Sequence, residues 1–534
     1  MKRLSSFWLP FWKIVSALVL VHLIVFDVLI LHAPAILQVQ FTPDDGYYYL
    51  TLARNFVRFG QWTFDGGLSL TSGFHLMQAY LLVGLYKLLQ PTSANFVTLA
   101  LGLGALITIL AAIIVWWICW REQDIFFLIV FTILVSAKSF LFDSVSITEW
   151  PLVILISGLY CFYFYRFTTS KNLLIPFALG LLGSLARSDF GLLPFCIFVS
   201  ALFIERKQES KPFTRATLFG FIGAGLGIGL IFIHNFITTG TLIQSSALMK
   251  SYWANFGNQS FYSAADLIFQ TLGMDLGFAD FQRSIFLLSL LLISGPLIVI
   301  ILAKLSGKNH LSLADFKLSK DQPAHEKILV LASAICIVGY LLFYSRDGAI
   351  QRWYTANFIW PIFILLVAGA RYLNQRLLKE ELFAPIWLSI FALATLGVQL
   401  FSLYPLSSQS APWPHHQFML EAGESLAQNP PDAYVGAWNS GVLGYYQGGT
   451  RVVNLDGLVN NDIYPYAVSH NLPAYLQAKN IHYILDFQNM LYPPFTQRGG
   501  YDNPDFLSHL VPLKTFDQGQ FIEFKFLRLY RIDS

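Results

Sequence analysis

The sequence predicts a polytopic α-helical membrane protein with a soluble α/β domain at its C-terminal end. Of its 534 residues, 55% are hydrophobic and only 12% are charged, and the mean hydropathy is +0.55. Soluble domains are about a quarter charged, so the excess of apolar residues is expected to face lipid. This apolar character ends near residue 405, where a Pro/Ser-rich linker begins. The net charge of +3 is too small to indicate a nucleic-acid partner.

Twelve apolar segments are candidates for membrane-embedded helices. The first follows Lys2, Arg3 and Lys13 and has no small-residue cleavage site behind it, so we expect an uncleaved span that starts in the cytoplasm. The candidates lie at about residues 12–32, 75–90, 94–120, 125–141, 150–166, 172–186, 190–204, 214–237, 284–304, 327–344, 355–373 and 383–404.

The distribution of Lys and Arg sets the expected orientation, because cationic loops stay in the cytoplasm. This rule places the loops 33–74 and 238–283 on the exoplasmic side, together with the soluble domain, residues 405–534. The chain is therefore divided into a transmembrane domain, residues 1–404, and an exoplasmic domain. A plasma (inner) membrane location, with many crossings, is expected.

Twelve complete crossings would put the first loop and the soluble domain on opposite sides, so one segment must fail to cross. The loop 121–124 has two acids against one base and is predicted to be exoplasmic. The next segment, 125–141, is short and contains Lys138. We therefore predict that it is re-entrant, which leaves about 11 spans.

The residues after the linker have the patterns of a small α/β domain. The stretches "AYVGAW" and "RVVNLDG" predict short strands, and "LPAYLQAKN" predicts a helix. A further strand is predicted for "IHYILDF", and a closing strand or hairpin for "FIEFKFLRLYRI".

The first exoplasmic loop contains an acid pair, Asp44 and Asp45, in a turn set by Pro43 and Gly46. Neighbouring residues in a turn point in different directions, so one carboxylate can accept a proton while the other holds a metal ion, a sugar hydroxyl or the loop. The helix that follows begins with Tyr47 to Tyr49 and is expected to lie in the membrane interface, with these aromatic rings at headgroup depth. The alternative is that one acid only caps this helix.

Two further groups of ionisable residues flank predicted spans. Glu149 precedes a span and would otherwise be a helix-start acid stabilised by the helix dipole. Arg187 and Asp189 separate two short apolar segments, at a depth where ionisable groups either pair with each other or line an aqueous cavity.

Cations on the predicted exoplasmic side are candidates for anion binding. Lys250, near the hydroxyls of Ser245 and Ser246, could hold a phosphate, and a plain solvated loop lysine is the alternative. The stretch "SRDGAIQRWYTANFIWP" places Arg352 and Tyr354 between two spans, against the positive-inside trend.

These motifs, in this order, resemble the GT-C class of integral-membrane glycosyltransferases, which includes protein O-mannosyltransferases, lipid A aminoarabinose transferases and arabinofuranosyltransferases. The first loop, "DDGYYYLTLARNFVRFGQWTFDGGLSLTSGFHLMQAY", resembles their "DDAYYYLxxARN…G…TNGFHPLW", with Leu76 in place of Pro. "SITEWPL", "ARSD" and "TGTLIQSSALMK" match later family motifs, with Ile147 and Gln244 as departures. The stretch "VGAWNSGVLGYYQGGTRVVNLDGLVNN" is also similar to the soluble domain of such proteins.

The resemblance implies transfer of a sugar from a polyprenyl-phosphate donor to a glycan, lipid or protein acceptor at the exoplasmic face of the bilayer. It implies that Asp44 is the general base and that Asp45 orients the loop, a sugar hydroxyl or a divalent ion. Glu149 and His75 would line the sugar pocket. The leaving phosphate would be stabilised by Lys250, Arg187 and Arg352, with Asp189 and Tyr354 beside them.

No cofactor is implied with certainty, and metal dependence is left open because members of the class differ in it. Two other classes of function are open at this point: a transporter or flippase without covalent chemistry, and a noncatalytic assembly protein. A transporter is expected to show inverted repeats and ionisable groups near the bilayer midplane, and the sequence shows neither.

Overall fold

The computed structural model describes residues 2–166, 172–206, 212–256, 261–273, 323–372, 374, 383–403, 406–408, 410–492, 500, 502–517, 519 and 524–533. The predicted span at 284–304 lies outside these residues. Among these residues, helices dominate as far as residue 403, and a five-stranded sheet follows.

The described helices of the membrane region differ widely in length, from 7 to 30 residues. They are α1 Lys2–Leu31, α2 Ala35–Phe41, α3 Asp44–Phe59, α4 Leu76–Leu89, α5 Ser93–Glu122, α6 Ile125–Val135, α7 Lys138–Ser144, α8 Trp150–Tyr165, α9 Leu174–Ala186, α10 Leu192–Ile204, α11 Pro212–Thr239, α12 Ser245–Trp253, α13 Phe261–Thr271, α14 Ala324–Tyr344, α15 Ala356–Tyr372 and α16 Phe383–Leu403. Short 3-10 turns, Ser188–Gly191 and Arg352–Thr355, precede α10 and α15.

The predicted multi-pass membrane architecture is confirmed. Among the described residues, five helical segments are long and apolar enough to cross a bilayer, and the bent pair α6–α7 would be a sixth. The five segments are Trp8–Leu31, α5, α11, α14 and Arg352–Tyr372. Shorter apolar helices pack beside them, including α4, α8 and α9. The total of about 11 spans stays a prediction.

The C-terminal region is a small α/β domain, as predicted. Its helices are α17 His416–Gln428, α18 Gly441–Gln447, α19 Tyr464–Val468, α20 Leu472–Ala478, α21 Gln488–Leu491 and α22 Pro504–Ser508. Its strands are β1 Tyr434–Ala437, β2 Val452–Asn454, β3 Ile481–Asp486, β4 Leu510–Thr515 and β5 Arg528–Ile532. The sheet order is β2-β1-β3-β5-β4; β1 runs parallel to β2 and β3, and β5 runs antiparallel to β3 and β4.

The α/β domain rests on one end of the helical bundle, which we call the domain end. There, the Trp413 amide donates to the Gln40 carbonyl at 3.0 Å. Ser245 Oγ donates to the carbonyl of Leu458 at 2.9 Å, and Tyr252 Oη donates to the carbonyl of Ala467 at 2.9 Å. These contacts fix the domain against helices α2 and α12.

The structure corrects the prediction that segment 125–141 is re-entrant. Asp124, just before α6, accepts from Arg371 Nε at 2.7 Å near the end of α15. Asp143, in α7, accepts from Arg352 Nη2 at 2.9 Å just before α15. The two ends of α6–α7 therefore lie at opposite ends of α15, so the pair crosses with a 66° bend. The prediction was based on the shortness of the segment and on Lys138, neither of which prevents a bent pair of helices from crossing.

The non-crossing segment is α4 instead. The turn before it is at the domain end, because the Ser72 amide donates to Asn461 Oδ1 at 2.9 Å. The turn after it is also there, because Tyr445 Oη donates to the Ser93 carbonyl at 2.6 Å. The loop 121–124 lies at the other end, where Glu122 pairs with Arg166. The loop 121–124 is therefore not at the end that carries the α/β domain, whereas the sequence predicted both to be exoplasmic.

Candidate active site

A cavity of about 440 Å³ opens at the domain end of the bundle. It brings together residues from seven separate parts of the sequence, which are joined only by the fold. Among its described lining residues are Asp45, Tyr49, His75, Glu149, Arg187, Asp189, Lys250, Arg346, Tyr354 and Leu458. Seven of these were predicted site residues, namely Asp45, His75, Glu149, Arg187, Asp189, Lys250 and Tyr354.

Asp45 presents a carboxylate to this cavity from the first turn of α3. It is half-buried, and no residue in the described part of the chain forms a hydrogen bond with its carboxylate. Burial raises the pKa of Asp45 to about 6, the positive charge of Lys250 opposes this rise, and the charges of Asp44 and Glu149 add to it. A carboxylate with this pKa is ionised near neutral pH and is able to accept a proton.

Asp44 is directed away from the cavity and contacts the α/β domain. Its two carboxylate oxygens accept hydrogen bonds from the backbone amides of Gly441 at 3.0 Å and Val442 at 2.7 Å. Burial raises the pKa of Asp44 to about 6, although these amides oppose the rise. The residue that precedes α3 as its cap is Pro43, so Asp44 does not cap its own helix either. The predicted role of general base therefore does not fit the position of Asp44.

The tyrosines of α3 lie inside the protein, so the expected headgroup position is wrong. Tyr47 is fully buried, Tyr48 Oη donates to Asp456 Oδ2 at 2.7 Å, and Tyr49 Oη donates to Glu149 Oε2 at 3.1 Å. The sequence correctly predicted that α3 is amphipathic, but α3 packs against the α/β domain and not against lipid headgroups.

Glu149 lines the cavity, and both of its carboxylate oxygens accept hydrogen bonds. Its Oε1 accepts from Arg187 Nη1 at 2.9 Å, its Oε2 accepts from Tyr49, and His75 Nε2 lies 3.6 Å from Oε1. Burial alone would raise its pKa, but His75 and Arg187 hold the pKa below its usual range. It makes no capping hydrogen bond to α8. Glu149 therefore favours its ionised form and accepts hydrogen bonds from Arg187 and Tyr49.

Arg187 is held between two carboxylates. Its Nε lies 2.9 and 3.0 Å from the two oxygens of Asp189, and Nη1 contacts Glu149. Asp189 is fixed in turn by the hydroxyl of Tyr344 and by Asn357 Nδ2 at 3.2 Å. The Arg187–Asp189 pair and the cavity-lining position, which were alternatives in the sequence, thus occur together. Because Arg187 already pairs with two carboxylates, its positive charge is largely neutralised and attracts an external anion only weakly.

Lys250 is the better-placed cation. It extends from α12 into the cavity, where Nζ donates to Tyr354 Oη. The same ring is contacted by the Arg187 guanidinium, whose centre lies 4.1 Å from the ring centroid. Burial alone would lower the pKa of Lys250, but Tyr354, Asp347 and Asp45 together raise it above its usual value. The ammonium group therefore stays charged and faces the cavity.

Arg352 does not reach the cavity, contrary to its predicted role. Its guanidinium pairs with Asp143, which is fully buried, and lies 4.7 Å from the ring centroid of Trp413. Sequence reasoning left out Trp353 and Leu458, both of which line the cavity. Leu458 comes from the α/β domain, and no sequence signal links that domain to the first loop.

A divalent ion would find few ligands here. Within the described residues, no group of three or more His, Cys, Asp or Glu side chains lies close enough to hold a metal ion. Asp45 offers one carboxylate beside an ammonium group, whereas Mg²⁺ and Ca²⁺ prefer several oxygen ligands. The described residues of the cavity therefore do not fit a resident divalent ion.

The helical membrane region, the acid-bearing helix at its end and the α/β domain above it together form a GT-C-like fold. The chain is similar to the oligosaccharyltransferase of Archaeoglobus fulgidus, solved in a complex with Zn and sulfate, with 13% identity and a TM-score of 0.51 over 96% of this chain and 73% of that one. It is also similar to ArnT from Cupriavidus metallidurans bound to undecaprenyl phosphate, with 9% identity and a TM-score of 0.50 over 96% of this chain and 97% of that one.

At these identities the likeness concerns the fold. The sequence profile of a domain of unknown function, DUF8728, matches residues 410–526, which form most of the α/β domain. A comparison with curated proteins gives no match.

Proposed function

We propose that this protein transfers a sugar from a polyprenyl-phosphate donor to a hydroxyl-bearing acceptor. The observation that carries the proposal is the joint presence of Asp45, Glu149 and Lys250 in one cavity at an end of a membrane-spanning bundle. A carboxylate free to accept a proton and an ammonium free to bind phosphate are the two groups that such a reaction needs.

Asp45 is the proposed general base. The acceptor oxygen attacks the anomeric carbon as its proton passes to Asp45, and the bond from the anomeric carbon to the phosphate oxygen breaks. Polyprenyl phosphate leaves with the bonding electron pair. This assignment moves the role of base from Asp44, because the carboxylate of Asp44 is already bound by two backbone amides.

Lys250 is the proposed partner of the donor phosphate. Its ammonium would stabilise the negative charge that grows on the leaving phosphate, and Arg346 lines the same cavity. Glu149, His75 and Arg187 form a connected group that can orient sugar hydroxyls. The presence of undecaprenyl phosphate in the similarly folded ArnT structure supports this class of donor.

The cavity is proposed to open on the exoplasmic side. Arg166, just after α8, and Arg371, in the last turn of α15, are at the end of the bundle opposite the cavity, because they pair with Glu122 and Asp124. The positive-inside rule then favours a cytoplasmic position for that end and an exoplasmic position for the α/β domain.

The test is incubation of the purified protein in lipid with a panel of radiolabelled polyprenyl-phosphate sugars, with and without added acceptors. We expect release of polyprenyl phosphate with one donor. A general base usually contributes about 10²- to 10⁴-fold to a rate, so we expect Asp45→Asn to be slower by about that factor. Asp432→Asn is the matched control, because Asp432 is exposed and accepts only from Tyr483 Oη at 3.1 Å among the described contacts.

Two results would contradict the proposal. If no donor is consumed while the protein moves lipid-linked sugars across the bilayer of a vesicle, it is a flippase. If Asp45→Asn retains the wild-type rate, Asp45 is not the base.

A further inference from the structure

Helix α3 presents two different faces, which are offset by one residue. Positions 45, 49 and 52 follow helical spacing and line the cavity, and Tyr48 also lines it at the border with the second face. Positions 44, 48, 51 and 55 have the same spacing and face the α/β domain. Successive residues of an α-helix are rotated by about 100°, so the adjacent acids belong to different faces.

The face toward the α/β domain consists of polar side chains whose partners lie about 390 to 410 residues away in the sequence. Asp44 accepts from the amides of α18, and Tyr48 donates to Asp456, as described above. Asn55 Nδ2 donates to the Gly449 carbonyl at 2.8 Å, and the adjacent Arg54 Nη2 donates to the Tyr445 carbonyl at 3.0 Å. All four side chains are largely buried, so these hydrogen bonds are costly to break.

The fit between α3 and α18 leaves no room for a side chain. A Cβ atom at Gly441 would lie 2.2 Å from the carbonyl oxygen of Asp44 and 2.7 Å from its Oδ1. The α/β domain also reaches the rim of the cavity through Leu458. The α/β domain therefore packs directly against α3, the helix that carries Asp45.

We infer that the α/β domain positions the catalytic helix, and that Asp44 is the positioning residue through which it acts. This inference rests on the proposed function for its effect on catalysis. In the resting protein, the amides of Gly441 and Val442 hold Asp44, and Asp44 in turn fixes the rotation of α3 that directs Asp45 at the substrate. A misplacement of about 1 Å can reduce a rate about 10²-fold, so loosening this contact should be felt in kcat.

The test uses one variant on each side of the contact, in the full-length protein in lipid. Asp44→Asn replaces an anionic acceptor of two amides by an amide group that can accept from only one side, and Gly441→Ala introduces the clash. We expect each variant to reduce kcat about 10- to 100-fold. The double variant should lose little more than either single variant, because both break one contact. Hydrogen exchange at the amides of 441 and 442 should be faster in Asp44→Asn.

The pH profile separates a positioning role from a chemical one. Asp44→Asn should keep the acidic limb of kcat/KM, because Asp45 is still present. The limb should move slightly to lower pH, since the charge of Asp44 raises the pKa of Asp45. Gly225→Ala is the matched control for the alanine substitution, because a Cβ atom at Gly225 meets nothing within 4 Å.

The inference is overturned if Gly441→Ala keeps the wild-type kcat, or if Asp44→Asn loses the acidic limb with unchanged exchange at 441 and 442. If the wild-type protein transfers no sugar, the proposed function fails, but the positioning is still tested. Exchange along α3 should then rise in both variants and stay at the wild-type level in Gly225→Ala. An unchanged exchange would mean that the domain does not hold the helix.

Discussion

Replacement of Lys250 by Met removes the ammonium group from the cavity and keeps a side chain of similar length. Lys250 has two proposed effects, one on the donor phosphate and one on Asp45, and the substitution should change both. A hydrogen bond to a charged group contributes about 1.5–3 kcal/mol, and a tenfold change corresponds to about 1.4 kcal/mol. Polyprenyl phosphate should therefore bind about 10- to 150-fold more weakly to Lys250→Met.

The second effect has a defined sign. Lys250 lowers the pKa of Asp45, which stands at about 6 in the wild-type protein. Without the ammonium group, this pKa rises, and the ionised form of Asp45 is lost at a higher pH as the solution is acidified. The acidic limb of kcat/KM should therefore move to higher pH, so that Lys250→Met loses more activity at pH 6 than at pH 8.

The assay is the inhibition constant of polyprenyl phosphate as a product, together with kcat/KM for the sugar donor between pH 5 and pH 9. Lys514→Met is the matched control, because Lys514 is exposed and donates to Ser425 Oγ at 2.9 Å on the α/β domain. An unchanged inhibition constant and an unmoved acidic limb would refute both proposed roles of Lys250.

Two other substitutions test the parts that support the site. Arg352→Ala leaves the buried Asp143 without its cation and should lower the stability by about 3–5 kcal/mol, as measured by unfolding in detergent; a change near zero would show that the pair is not structural. Gly73→Ala would place a Cβ atom 1.5 Å from the carbonyl oxygen of Leu458, so sugar transfer should fall sharply while the protein still inserts in the membrane. Wild-type transfer by that variant would contradict the close packing of this loop against the α/β domain.

The sequence predicted the membrane class and most strands of the α/β domain because each leaves a local pattern. Strands β1, β2, β3 and β5 and helix α20 were predicted from alternation and turn residues. Strand β4, "LVPLKT", was not, since most of it is exposed and it contains a proline at an edge of the sheet.

The topology was harder, since apolar length does not say whether a segment crosses. Helix α4 was read as a span, but both of its ends are at the domain end of the bundle. The pair α6–α7 was read as re-entrant, but its bend at residues 136–137 hides a crossing. Short apolar helices that are buried in protein and short helices that cross a bilayer have the same composition, so only the contacts at their ends distinguish them.

The candidate site could be predicted only in part from local sequence patterns. Asp45, Glu149 and Lys250 were selected because ionisable residues near a membrane face need a reason to be there, and all three line the cavity. The sequence predicted that the two acids have different roles, but it assigned the role of general base to Asp44, whereas Asp45 is the acid that lines the cavity. The orientation of the two acids depends on Gly441 and Val442, about 400 residues away. Their amides bind the carboxylate of Asp44, so that Asp45 is the acid that faces the cavity.

The different roles of Asp44 and Asp45 also explain the residue composition of helix α3 as a whole. A helix that served only the cavity would need polar residues on one face and apolar residues around the rest, as in an ordinary surface helix. Helix α3 has functional polar residues on two faces, because one side meets substrate and the other meets the α/β domain. Asp44 and Tyr48 are thus as necessary to the motif as Asp45 and Tyr49, although Asp44 is not among the cavity-lining residues and Tyr48 donates its hydroxyl to Asp456 of the α/β domain. Loss of either face should remove activity, but only the loss of Asp45 should remove the group that accepts the proton.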